Sequence, residues 1–93
     1  MSTITKKKEQ TALEQKLNAP WHILIINDDV NTFEHVIDTL VKYCGHSPEQ
    51  AYQCSLIIHH SGKCSVKVGE YDELRPIYEA ILEEKIRAKI EET

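Results

Sequence analysis

Three polar residues in a row, Asn27-Asp28-Asp29, follow directly on the apolar run Trp21-His22-Ile23-Leu24-Ile25-Ile26, and further along the chain carries a histidine pair, His59-His60. Side chains of these types supply an amide oxygen, carboxylates and ring nitrogens, an acceptor set that suits an ammonium group with its three donors and its charge. A turn after a strand needs only one or two Asx residues, so a plain turn and a binding loop both remain open readings of 27–29. His59 is open in the same way. It sits where a helix dipole favours an imidazolium, as an ordinary surface histidine would, or where it can join Asn27 and Asp29 when the helices fold back on the strand. A different class of chemistry would make Asp29 and His59 a general acid/base pair in a small hydrolytic enzyme, but no nucleophile motif or phosphate loop accompanies them. A metal site built from His59, His60 and a cysteine lacks the spacing of four ligands, so neither a metal nor another cofactor is expected.

These residues need elements to position them. The run at 21–26 is short, continuous and β-branched, as in a central strand buried on both faces, and 27–29 stops it. Asn31 and Glu34 stand at capping-box spacing before apolar residues at 33, 36, 37, 40, 41 and 44, which predicts an amphipathic helix ending near Gly45. Ser47-Pro48-Glu49-Gln50 opens a second helix with a Ser cap and Pro in the first helical position; Ala51, Cys54, Ser55 and Ile58 line one stripe, and Gly62 closes it. Lys63–Val68 alternates, predicting a half-buried strand with Cys64, Val66 and Val68 on one face. Apolar residues at 74, 77, 78, 81 and 82 mark a third helix, with Pro76 expected inside its first turn. The last segment, 85–91, fits a strand by alternation and a continued helix by the spacing of Leu82, Ile86 and Ile90.

Ninety-three residues support one modest core, and 41% apolar with 28% charged residues is the balance of a globular chain. Residues 1–19 read as a flexible arm and 20–93 as the folded domain. Of the 11 Lys and Arg and 15 Asp and Glu, four lysines and two glutamates fall in the arm, leaving seven basic against thirteen acidic side chains in the body. An acidic body repels phosphates, so nucleic acid is not expected as a partner, whereas a cationic ligand suits it. The chain has no apolar run long enough for a bilayer and no secretory signal, which places it in the cytoplasm, away from the membrane. Cys44, Cys54 and Cys64 are odd in number with no C-x-x-C pair, and are expected to be buried free thiols.

Ile25-Ile26-Asn27-Asp28-Asp29, then Val36-Ile37-Asp38, then His59-His60-Ser61-Gly62-Lys63, resemble ClpS, the adaptor family that recognises amino-terminal degradation signals and delivers their bearers to a Clp ATPase and protease. The resemblance runs without a gap from about Trp21 to Lys63 and more loosely beyond. It implies an α+β fold, a three-stranded antiparallel sheet packed on three helices in the order β-α-α-β-α-β, with a last strand at Ile86 to Glu91. By the family pattern Asn27, Asp29 and His59 hold a free α-amino group, with Asp28 shaping the loop beside them. Phe33, Ser55, Ile58 and Ile86 fall where the family lines the pocket for the first side chain, usually Leu, Phe, Tyr or Trp. At Phe33 and Ser55 the family often has methionine instead. Glu70 and Arg75 match the surface that docks on the amino-terminal domain of a ClpA- or ClpC-type AAA+ ATPase. The resemblance thus implies an adaptor that is not an enzyme, expected to be a monomer. An interaction domain that has lost amino-terminal recognition is the reading that Phe33 and Ser55 keep open.

Overall fold

The computed structural model describes residues 20–93, and the arm predicted at 1–19 lies outside them. The described elements run β1 (Trp21–Ile26), α1 (Phe33–Cys44), α2 (Pro48–Ser61), β2 (Lys63–Gly69), α3 (Tyr71–Glu83) and β3 (Ala88–Glu92). They form one antiparallel sheet in the order β2-β1-β3, so the most apolar strand lies in the middle. Ile23 and Ile25 point from β1 into the core, where Val36, Leu40 and Cys44 of α1, Ala51 and Ile58 of α2, Leu74 and Ile81 of α3, and Val66 and Ile86 meet them. Leu24, also buried, is turned the other way and stands outside that cluster; His22 and Ile26 on its face are only half-buried, so the burial on both faces expected for this strand holds at its centre alone.

Local signals explain most element ends. Gly45 (φ 72°) and Gly62 (φ 95°) close α1 and α2 in the left-handed region that glycine adopts without a Cβ clash. Ser47 caps α2, accepting from the Gln50 N–H at 3.1 Å. The cap of α1, however, is Thr32, which accepts from the His35 N–H at 3.1 Å; Asn31 is drawn into the loop before it. α3 begins after Glu70, whose backbone N–H donates to the Glu73 carboxylate at 3.3 Å.

Four expectations are corrected. Pro76 lies in the second turn of α3 rather than the first; its missing N–H leaves a carbonyl open at Asp72, whose exposed position lets water take it. Val68 is 56% exposed, because the β1–β2 register slips between Ile23↔Lys67 and Leu24↔Ser65. That bulge leaves Val66 without a partner across the ladder and reverses the alternation beyond it. His46 occupies the opening: its Nε2 donates to the Val66 carbonyl at 2.7 Å. Of the cysteines only Cys44 is buried, its thiol pushed up to about 11 by burial, while Cys54 and Cys64 are half-buried. Finally, β3 starts at Ala88, two residues after the expected Ile86, and the alternative of a continued helix fails at Lys85, which turns the chain at φ 67°.

Ile23 makes the cost of this arrangement measurable. It is fully buried at the centre of the sheet, so Ile23→Ala is expected to lower the unfolding free energy by about 2–5 kcal/mol, read from urea unfolding curves with an unchanged slope.

Candidate functional site

The carboxyl end of β1 opens into a loop, and one carboxylate organises it. Asp28 Oδ1 accepts from the backbone N–H groups of Val30 (2.9 Å) and Asn31 (3.0 Å), and both its oxygens accept from the Asn31 side-chain amide, at 3.2 and 3.0 Å. The same amide also donates to the Lys85 carbonyl at 3.0 Å, so the loop is tied to the turn between α3 and β3. His35 adds a second tie one helical turn on, donating from Nε2 to the Glu84 carbonyl at 2.8 Å, and the Tyr43 hydroxyl donates to the Glu84 carboxylate at 3.2 Å. On the other side, the Asn27 N–H donates to the Gly62 carbonyl at 2.8 Å, which brings the loop against the end of α2, where His59 stands.

Between these ties lies a cavity of about 340 Å³, within the usual span of small-ligand sites. All eight residues expected at the α-amino and side-chain subsites, Asn27, Asp28, Asp29, Phe33, Ser55, Ile58, His59 and Ile86, line it. They come from the loop, from the first turn of α1, from one stripe of α2 at spacings of three and four, and from the turn before β3. Ser55, Ile58 and Ile86 are buried and form its floor and wall, whereas Asn27 is half-buried and Asp29 and His59 are exposed at its mouth. Since Asp28 is taken up by the loop, Asn27 and Asp29 are left with side chains that bond no other described residue. His59 is oriented edge to face between Phe33 (ring centroids 5.7 Å) and His60 (5.2 Å), and Phe33 in turn meets Tyr52 at 6.5 Å.

Sequence reasoning missed Ile25, Ile26, Asn31, Thr32 and Val36 as cavity residues. Val36 was legible only as helix core, although its place one turn beyond Phe33 puts both on one face; Asn31 read as a cap. Glu70 and Arg75 are not brought to the cavity. They lie at the start of α3, where the Arg75 guanidinium donates to Glu79 and to the Tyr71 hydroxyl, both at 3.0 Å, and Tyr71 packs edge-on against Trp21 at 4.8 Å. No cluster of His, Cys, Asp or Glu among the described residues is arranged to hold a metal ion. Nor is any of their helices long and apolar enough to cross a membrane.

Residues 16–89 match the family described as ATP-dependent Clp protease adaptor protein ClpS. The chain belongs to the ClpS family. Curated ClpS adapter proteins agree: one from Thermosynechococcus vestitus is 27% identical over 82 residues, covering 87% of this chain and 85% of the relative. Another, from Campylobacter jejuni subsp. jejuni, is 36% identical over 67 residues, covering 68% and 70%. The fold is shared with Agrobacterium tumefaciens ClpS2 bound to L-phenylalaninamide, at a TM-score of 0.69 and 18% identity over 81% of this chain and 98% of that one. As a ClpS-family protein the chain is an adaptor of Clp protease and not an enzyme, so Asp29 and His59 are not an acid/base pair.

The Asp28 carboxyl is held below its ordinary value of 3.8, chiefly by the Asn31 backbone N–H against the opposing effect of burial, with further help from the Val30 N–H, the Asn31 amide and the Arg87 charge. A depressed carboxyl stabilises the folded loop fully above the ordinary value and loses that contribution as pH falls through the depressed one. In an acid titration followed by NMR, the Val30 and Asn31 amide signals should therefore move together with a midpoint below pH 3.8. Movement centred above 3.8 would contradict the bonding described.

Proposed function

We propose that this adaptor binds proteins through their amino termini and delivers them to a Clp-family AAA+ unfoldase. The observation that supports the reading is the division of the cavity: at the mouth, acceptors that bond no other described residue, and behind them an uncharged wall that is apolar except for the Ser55 hydroxyl. An amino-terminal residue has the complementary form, a cationic tip with three donors beside one side chain. Asn27 would accept through its amide oxygen, Asp29 through its carboxylate and His59 through a ring nitrogen of the neutral imidazole. The first side chain would enter against Phe33, Ile58, Ser55 and Ile86, which favours bulky Leu, Phe, Tyr or Trp. L-phenylalaninamide, bound by the ClpS2 of the shared fold, joins a free α-amino group to an aromatic side chain and supports the same division. Phe33 offers a ring at the rim, where edge or offset contacts favour aromatic first residues over Leu by about 0.5–1.5 kcal/mol.

Docking on the ATPase belongs to a separate surface. Glu70 and Arg75, away from the cavity at the head of α3, are the residues we assign to contact with the amino-terminal domain of a ClpA- or ClpC-type partner, the chain acting as a cytoplasmic monomer. The Lys-rich segment 1–19 is assigned to hand-over.

The test of the site is a panel of labelled peptides that differ at residue one, with acetylated controls. Charge-assisted bonds to a buried ammonium are worth about 1.5–3 kcal/mol each, so acetylation should abolish binding, and Asn27→Ala or His59→Ala should weaken it roughly tenfold to a hundredfold. Affinity should also fall above about pH 8, where the α-amino group loses its proton. Equal affinity for free and acetylated peptides would overturn the reading. For hand-over, deleting residues 1–19 should leave peptide affinity unchanged and slow degradation of a substrate carrying such an amino terminus, compared in the same two assays.

A further inference from the structure

The one side-chain oxygen among the described residues that is buried without a hydrogen-bond partner lies in the wall of this cavity. Ser55 is 3% exposed, its Oγ bonds nothing, and the residue lines the pocket with Phe33, Val36, Ile58 and Ile86. A hydroxyl in the middle of a helix ordinarily donates to the carbonyl four residues earlier, and this chain supplies the comparison: Thr39 in α1, equally buried, donates to the His35 carbonyl at 2.8 Å. Ser55 in α2 makes no such bond to Ala51. A buried hydroxyl left open costs free energy that a partner would recover, and the other groups named here around it are hydrocarbon and aromatic ring, with nothing to offer it. An occupant of the cavity that brings a donor or acceptor to Ser55 can supply that partner.

Resting on the amino-terminal reading of the site, we infer that Ser55 selects first residues whose ring carries a hydrogen-bonding group, with tyrosine preferred over phenylalanine. The two differ by one oxygen, so their ratio isolates the hydroxyl from the rest of the pocket. Ser55 can act either way, since it has a proton to give and lone pairs to receive one. Leucine or valine in the same wall would present no polar atom to the ring, and methionine only a weakly accepting sulfur, which would leave a tyrosine hydroxyl poorly compensated for lost water.

A neutral hydrogen bond of ordinary strength corresponds to about a three- to tenfold difference in affinity. Peptides beginning with Tyr, Phe and 4-fluorophenylalanine, otherwise identical, are titrated into wild type and Ser55→Ala, with thermal melts to verify that the variant folds. Alanine suits a helix and removes only the hydroxyl. The expected result is Tyr bound about three- to tenfold more tightly than Phe by wild type, with the fluorinated ring following Phe, and a Tyr:Phe ratio at or below one in the variant. A wild-type ratio of one or less, or a preference for Tyr that survives Ser55→Ala, overturns the inference while leaving the amino-terminal reading intact. Failure of all three peptides to bind wild type, or binding unaffected by acetylation, overturns the amino-terminal reading and this inference with it.

Discussion

The Asp28 carboxylate is the joint on which the rest of the site depends. By accepting two backbone N–H groups and the Asn31 amide it fixes the loop after β1, and the Asn31 amide carries that order across to the Lys85 carbonyl. One short segment thereby sets three things at once: the direction of Asn27 and Asp29, the entry of α1 with Phe33 in its first turn, and the place of Ile86 just after the tied turn. The lowered carboxyl of Asp28 has the same origin, since the donors that build the loop also favour its charge.

A division of labour follows among three adjacent residues of similar type. A carboxylate that saturates its acceptors on its own backbone has little left for a ligand, and one that does not is available. Asp28 is of the first kind, and Asp29, exposed one residue later, is of the second. The histidine is handled differently. His59 packs by ring edges, against Phe33 and His60, and its nitrogens bond no other described residue.

Where sequence and structure agree, the reason is local chemistry. The apolar run of β1, the Ser47 cap with Pro48, and the glycines at 45 and 62 each act within a few residues and were legible on their own. The stripe that carries Ser55 and Ile58 was legible too, because spacing alone puts them on one face of a helix. Where they part, tertiary bonds outvote local pattern. Asn31 has the type of a cap, but the Lys85 carbonyl and the Asp28 carboxylate compete for its amide, and Thr32 takes the cap. Val68 follows perfect alternation on paper, and a bulge paired with His46 reverses it. Ile86, which the family resemblance put at the start of the last strand, lines the cavity from outside β3, since the pattern Leu82, Ile86, Ile90 says nothing of the left-handed turn at Lys85 that precedes it.

The two outer strands have a consequence for how a captured chain would travel. β2 bears Lys63, Ser65 and Lys67, and β3 bears Lys89, Glu91 and Glu92, so both outer rims of the sheet, unpaired among the described residues, are short and studded with charge. Rims of that kind discourage the addition of a further strand. An extended polypeptide held at its first residue would find little inducement along these rims to add as a further strand. On the amino-terminal reading proposed above, a tether of one residue would let go in a single event, and it would leave the following segment unoccupied for a motor to seize.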